Sequence, residues 1–140
     1  MKFIDKYFRE SKEIIDSLDK NQIRKMVDYL VNLRTRNGRL FILGVGGGAG
    51  HASHAVNDFR KICGIESYAP TDNVSELTAR VNDDGWDTSY VNWLRGCQLI
   101  EKDMIFVFSV GGGNLEKEIS VNIVNSLKFA KEVGAKVCGI

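Results

Sequence analysis

Apolar residues recur along this chain with two different periods, and the change of period divides the sequence. In the first part they are spaced three or four residues apart, as on one face of a helix. These positions are Ile4, Tyr7, Phe8, Ile14, Ile15 and Leu18. Asp19, three residues before Gln22, resembles a capping box that begins a second helix, and Asn37-Gly38 is a typical helix end. We predict a helical lead-in over residues 1–36, whose apolar face packs either on its own sheet or between subunits.

After Gly38, short apolar runs alternate with helix-length segments. The runs predict strands near Arg39–Leu43, Glu66–Ala69, Met104–Ser109 and Ala135–Ile140. The segments between them predict helices over Ala49–Ile62, Val74–Val81, Thr88–Gln98 and Leu115–Val133, the last ending at Gly134. Apolar strands separated by helices are typical of a parallel sheet covered on both faces. We therefore predict a doubly wound α/β fold, as one domain over residues 1–140 with its αβ core at 37–140.

The final predicted strand reaches Ile140, the last residue of the sequence. A doubly wound fold normally continues with a helix that covers such a strand. We therefore expect the sequence to be the front portion of a longer protein, truncated at its carboxyl end. Val137 and Ile140 would then lack a covering helix, and an uncovered strand invites pairing with other chains.

Composition narrows the class of protein. A formal net charge of +1 offers no basic field for nucleic acid or an anionic membrane. The sequence has no long apolar segment and no signal-peptide pattern. Cys63, Cys97 and Cys138 lack CxxC spacing and are interpreted as buried thiols in a reducing compartment. We expect a cytoplasmic protein that binds neither nucleic acid nor membranes.

Two glycine-rich loops each follow an apolar strand and open a helix. The first is Gly44-Val45-Gly46-Gly47-Gly48-Ala49-Gly50, and the second is Ser109-Val110-Gly111-Gly112-Gly113-Asn114. Glycine lets backbone N–H groups converge on a ligand, and the helix behind each loop favours an anion. If the two strands are neighbours, the loops indicate one phosphorylated small molecule held between them. The side chains of Ser109 and Asn114 would add hydrogen bonds.

The helix behind the first loop carries both histidines of the chain. His54 and Asp58 are four residues apart and share a helix face, with His51 one turn earlier. Such a pair binds a divalent metal or shares acid–base duty. A local ion pair on a solvated helix face explains the spacing equally well.

The stretch Asn82-Asp83-Asp84-Gly85-Trp86-Asp87 has the composition of a turn. Asn82 and Asp83 would accept hydrogen bonds from sugar hydroxyls there, although a plain turn is the simpler interpretation. Trp86, Tyr90 and Trp93 are better explained as core or interface residues than as residues that stack on a ligand.

Together these motifs resemble the sugar isomerase (SIS) domain, in its phosphoheptose isomerase branch. The resemblance covers the whole chain, from the lead-in through G-x-G-G-x-x-x-x-A-x-H-A-x-x-D at Gly44–Asp58 to the Ser109–Asn114 loop. The family's first loop reads GNGGS and its phosphate loop STSGNS. This chain has Val45 for the asparagine, Gly48 for the serine, and Val110 and Gly111 for hydroxyl residues.

The resemblance implies sedoheptulose 7-phosphate isomerisation for surface-polysaccharide heptose, in a homotetramer with active sites built across subunits. It implies His54 as a zinc ligand, Asp58 as a catalytic and metal-binding carboxylate, and Asn82 and Asp83 as substrate contacts. The first-loop residues Val45, Gly46, Gly47 and Gly48 and the second-loop residues Ser109, Val110, Gly111 and Asn114 would also bind substrate. A later histidine and glutamine of the family would lie beyond Ile140, so we expect at most traces of activity from these 140 residues.

Two other functions fit the residues. A non-catalytic SIS module that binds a phosphosugar or a protein partner would explain the lost loop hydroxyls. A Rossmann dinucleotide enzyme would use Gly44-x-Gly46-x-x-Ala49, with Glu66 holding a ribose. We place the dinucleotide enzyme a distant third, with no nucleotide cofactor expected, because Glu66 would lie at the start of a strand rather than at its end.

Overall fold

The computed structural model describes residues 2–140. It has six helices and four strands in these residues: α1 Lys2–Ser17, α2 Lys20–Thr35, β1 Leu40–Gly44, α3 Gly47–Lys61, β2 Ser67–Tyr68, α4 Val74–Asp84, α5 Trp86–Gly96, β3 Met104–Phe108, α6 Val121–Val133 and β4 Lys136–Gly139. The chain divides into compact units at Met1–Leu30 and Val31–Ile140. Whether residues 1–140 behave as one domain with a lead-in of 1–36 stays a prediction.

The first unit holds α1 and most of α2. The second helix begins where the capping box predicts, because the Asp19 carboxylate accepts from the Asn21 N–H at 2.8 Å and from the Gln22 N–H at 3.4 Å. The apolar side chains of α1 are exposed, with Phe3 at 78% and Ile14 and Ile15 at 64%. No residue of α1, Lys2–Ser17, is buried.

The second unit is built on a four-stranded parallel sheet in the order β2-β1-β3-β4. Phe41 and Leu43 are fully buried in a core formed with α5 and α6. Leu40 and Ile42 alternate with them and are fully buried toward the opposite side, because successive strand residues face opposite surfaces of a sheet. The predicted doubly wound α/β architecture is confirmed, and the strand order is that of flavodoxin-like folds.

A buried ion pair joins the amino ends of the two central strands. The Asp103 carboxylate accepts from the Arg39 guanidinium at 2.6 Å and from the backbone N–H groups of Arg39 and Ile100, each at 3.0 Å. Arg39 also donates to the carbonyls of Cys97 and Gln98. The hydrogen bond to Asp103 raises the pKa of Arg39, although desolvation opposes it.

Two predicted boundaries are wrong. The turn over Asn82–Asp87 is mostly helical: α4 runs through Asp84, Gly85 alone breaks the chain with a φ of 81°, and α5 begins at Trp86. The last helix begins at Val121 rather than Leu115, because Glu118 and Ser120 have positive φ angles that a right-handed helix excludes. The Gly134 cap is confirmed, with a φ of 79°.

The carboxyl-terminal strand β4 forms one edge of the sheet. Val137 is 42% and Ile140 74% exposed, as expected for a strand without a covering helix. The cysteines are free and partly buried rather than fully buried. None of the helices within residues 2–140 has the length and apolarity needed to cross a bilayer.

Candidate phosphosugar site

The two glycine loops lie side by side. The strands that precede them, β1 and β3, are hydrogen-bonded neighbours, and their last residues, Gly44 and Phe108, are partners in the register. The chain order reverses direction between these two strands, which is the point where doubly wound folds bind ligands. The two loops are therefore neighbours, as binding of one ligand between them requires.

The first loop is a tight turn with free amides. Gly46 has a φ of 58° and a ψ of −120° and is the N-cap of α3, without a side-chain cap. This backbone conformation is open only to glycine. Within residues 2–140 the N–H groups of Gly46 and Gly47 donate to no protein acceptor, and a Cβ at either position would meet nothing within 4 Å. The loop therefore offers two donors at a helix N-terminus in open space, as an anion requires.

The other two glycines of this turn are needed for close packing. A Cβ on Gly44 would lie 2.3 Å from the Gly48 carbonyl group, and a Cβ on Gly48 would lie 2.7 Å from the Phe108 carbonyl oxygen. A side chain at Gly48 would therefore collide with the backbone of β3.

The second loop continues past Asn114 before α6 begins. The backbone of Asn114 pairs with that of Ile119 by two hydrogen bonds of 2.8 Å, so residues 114–119 form a closed excursion before α6. The Ser109 hydroxyl accepts from the Gly112 N–H at 3.1 Å, and the Asn114 side chain accepts from the Lys117 N–H at 2.9 Å. Both side chains therefore hold the loop in shape. Val110 projects fully into solvent.

The start of α6 adds further donors and an unexpected amide. Its N-cap, Ser120, is left-handed and makes no side-chain cap. Among the described residues the N–H groups of Val121 and Asn122 have no acceptor, whereas that of Ile123 donates to the Ser120 carbonyl at 3.0 Å and to the Asn122 Oδ1 at 2.9 Å. Asn122 in the first turn is fully buried, and its Nδ2 has no partner among the described residues. Asn122 is not among the site residues predicted from the sequence. An asparagine in the first turn of a helix behind a glycine loop is the signal that could have indicated it.

His54 and Asp58 form the pair that their spacing predicts. Their side chains approach to 3.4 Å between Nε2 and Oδ2 and are 79% and 47% exposed. His51 instead lies against Phe108, with ring centroids 5.9 Å apart. Asp58 is about 16 Å further along α3 than Gly47, at ~1.5 Å of rise per residue. One chain therefore does not bring Asp58 to the glycine loops.

The pair does not make a zinc site by itself. Zinc in proteins is held by three or four protein ligands. Residues 2–140 contain no group of three or more His, Cys, Asp or Glu side chains placed to hold a metal ion. Two exposed donors fall short of such a ligand set.

Asn82 and Asp83 lie in the last turn of α4. The Asn82 amide donates to the Asp83 carboxylate at 2.8 Å, and within residues 2–140 no hydrogen bond joins either side chain to a glycine loop. Glu66 precedes β2 and accepts from the Tyr68 hydroxyl at 2.8 Å. Glu66 therefore lies at the start of that strand, whereas a dinucleotide enzyme would have its ribose-binding residue at the end.

The start of α5 lies close to both loops. The Tyr90 hydroxyl donates to the Gly44 carbonyl at 2.8 Å, and the Asn125 amide of α6 donates to the Asp87 carbonyl at 3.0 Å. Tyr90 and Trp93 are buried, as predicted for core residues, whereas Trp86 is 41% exposed. Burial raises the pKa of Tyr90 to about 12, so its hydroxyl stays a donor at neutral pH.

A parallel sheet with paired glycine loops at its switch point agrees with the resemblance to the sugar isomerase domain. No family model matches the chain, but individual proteins do. It is 29% identical to the phosphoheptose isomerase of Syntrophotalea carbinolica, over 98% of this chain and 70% of that protein. It is 32% identical to a probable phosphoheptose isomerase of Thermoplasma volcanium, over 86% of this chain and 60% of that protein.

Solved structures agree on the fold. The phosphoheptose isomerase GmhA of Neisseria gonorrhoeae superposes with a TM-score of 0.83 at 22% identity, over 99% of this chain and 73% of that one. A phosphoheptose isomerase from Francisella tularensis gives the same TM-score at 19% identity, over 99% of this chain and 72% of that one. The chain is thus similar in sequence to phosphoheptose isomerases and shares their fold.

Proposed function

We propose that this chain belongs to an enzyme that isomerises sedoheptulose 7-phosphate to a heptose 7-phosphate, supplying heptose for surface polysaccharide. The observation that carries the proposal is the pair of glycine loops with free amides on neighbouring strands. The named activity of the relatives in Syntrophotalea carbinolica and Thermoplasma volcanium supports the same reaction.

The phosphate would lie between the loops. The N–H groups of Gly46 and Gly47 and those at the start of α6 donate to it, and two helix N-termini favour its charge. Val45, Gly48, Ser109, Val110, Gly111 and Asn114 would line or shape this subsite. Asn82 and Asp83 remain proposed contacts of the sugar hydroxyls.

Aldose–ketose isomerisation moves a proton between adjacent carbons through an enediol. We assign the proton transfer to Asp58, with His54 as its neighbour, the Nε2 lying 3.4 Å from Oδ2. A seven-carbon sugar phosphate is on the order of 10 Å long, from C–C bonds of ~1.5 Å. This length is shorter than the ~16 Å of helix between Gly47 and Asp58 of the same chain, so we assign Asp58 to a sugar held by a neighbouring copy.

A homo-oligomer, most simply the tetramer of the family, follows from this arrangement. The exposed apolar side chains of α1 support it, because a monomer that presents Phe3, Ile14 and Ile15 to water leaves a large apolar surface uncovered. Ile14→Glu should lower the mass measured by light scattering, whereas Lys12→Glu on the same helix should not. An unchanged mass for Ile14→Glu would contradict this assembly.

Zinc binding and the cellular location of the protein are two further proposals. If zinc binds, His54 and Asp58 would supply two ligands, and the others would come from outside residues 2–140 or from another copy. His54→Ala should then lower the zinc content of the purified protein. We assign the protein to the cytoplasm, where phosphorylated sugars are metabolised.

A second function is binding without turnover. Val45, Gly48, Val110 and Gly111 supply no side-chain hydroxyl or amide where the family does, and this favours a non-catalytic phosphosugar module. The two functions share the phosphate site and differ in chemistry.

The deciding experiment combines binding and turnover. Sedoheptulose 7-phosphate should raise the melting temperature through preferential binding to the folded state, and free sedoheptulose or NAD should not. Asp58→Asn should keep that shift and abolish isomerisation in the protein carrying the whole active site, whereas the control Glu132→Gln should behave as wild type. Equal shifts with the free sugar would refute phosphate recognition; binding without any wild-type turnover would favour the non-catalytic module.

A further inference from the structure

The Tyr90 side chain connects the core to the first glycine loop. Its ring is fully buried, packs against Trp86 with centroids 5.6 Å apart, and carries its hydroxyl to the Gly44 carbonyl at 2.8 Å. Gly44 is the last residue of β1, and the loop begins directly after it. A buried tyrosine hydroxyl needs a partner, and here that partner is the backbone at the entry to a ligand loop.

A chain of close backbone contacts connects Gly44 to the second loop. The space beside its Cα is filled by the Gly48 carbonyl group, 2.3 Å from an ideal Cβ. Gly48 in turn abuts the Phe108 carbonyl, 2.7 Å from its own ideal Cβ, and Phe108 directly precedes Ser109. Backbone packed this closely cannot shift at one point without moving the next.

The helix that carries Tyr90 also holds the other side of the site. Its Asp87 carbonyl accepts from Asn125, one turn into α6, and α6 is the helix behind the second loop. One short helix is therefore hydrogen-bonded to the entry of the first loop and to the helix that follows the second.

We infer that Tyr90 is a positioning residue for the phosphosugar site: its hydroxyl fixes the peptide of Gly44, and through it the free amides of Gly46 and Gly47. It touches no ligand, and its effect on ligand affinity rests on the function proposed above. Removal of the hydroxyl leaves the fold intact but lets the amides of the first loop depart from the geometry that an anion needs.

The test is Tyr90→Phe, with Tyr68→Phe as a matched control. Tyr68 also packs on the core, stacked on Phe41 at 6.0 Å, but donates its hydroxyl to Glu66 at a distance from the loops. Two readouts are needed, namely the backbone amide resonances of Gly46 and Gly47 in the free protein and the Kd of sedoheptulose 7-phosphate by calorimetry.

Tyr90→Phe should displace both glycine resonances and raise the Kd about tenfold, on the order expected for one misplaced hydrogen-bonding group. The control should change neither. Unchanged glycine resonances in Tyr90→Phe would overturn the inference, as would displaced resonances with wild-type affinity. If the wild type does not bind the sugar phosphate, the proposed function fails, and the resonances alone decide whether Tyr90 positions the loop.

Discussion

Removal of the Asp103 carboxylate should destabilise the fold more than any surface change. This carboxylate is 1% exposed and pairs with the Arg39 guanidinium at 2.6 Å. It is also the partner of two backbone N–H groups, those of Arg39 and Ile100. In Asp103→Ala both N–H groups lose their acceptor, and the partly buried Arg39 cation keeps only the carbonyls of Cys97 and Gln98. Breaking such a pair costs ~3–5 kcal/mol, a large fraction of the ~5–15 kcal/mol that holds a domain together.

The measurement is urea unfolding followed by circular dichroism at one fixed protein concentration. The midpoint should fall, with little change of the slope m, by an amount equal to that free energy divided by m. Glu76→Ala is the control, because it breaks an equally short i,i+4 contact to Arg80, 2.7 Å, between partly exposed side chains of α4; helix pairs of this spacing contribute ~0.3–0.5 kcal/mol. A loss below ~1 kcal/mol for Asp103→Ala would refute the view that this pair joins the central strands.

Three further outcomes are expected. Gly48→Ser, although it restores the family's residue, should destabilise the protein by ~1–3 kcal/mol because its Cβ meets the Phe108 carbonyl, while Gly47→Ser should be tolerated in a thermal melt. Burial raises the pKa of Cys138 to about 11. Because the folded state favours the neutral thiol, this group should add its whole contribution to the free energy of unfolding below pH 9 and lose it toward pH 11. Cys138→Ala should reduce that loss, measured by urea titrations at several pH values. Asn122→Leu removes a buried donor without a partner and should leave the melting temperature unchanged or higher; a marked drop would show that the amide is satisfied in solution.

The sequence predicted the sheet better than the segments around the second loop. Strands such as Met104–Phe108 are apolar runs whose burial leaves little freedom, and they formed where predicted. The start of α6 was misjudged because residues 115–120 have helix-forming composition, and only the backbone pairing of Asn114 with Ile119 excludes a helix there. Local composition does not contain that pairing.

The candidate site was predictable in part for the same reason. Glycine runs and the spacing of His54 and Asp58 are local signals. The glycine runs predict the loops, the spacing predicts a pair on one helix face, and the structure has both. The separation of Asp58 from the loops follows from the length of α3. The contact of Tyr90 with Gly44 joins residues 46 positions apart. The pattern of apolar residues along the chain does not predict such a contact.

The sheet order also sets the sequence of events during synthesis. β1 lies at the centre, yet its partner β3 begins only at Met104, after some sixty residues of intervening chain. At ~5–20 residues per second, a ribosome needs about 3–12 s to make that segment. For that time β1 has only the two-residue strand β2 to pair with. The nascent chain therefore exposes a central apolar strand for seconds, and chaperones would bind it most readily during this interval.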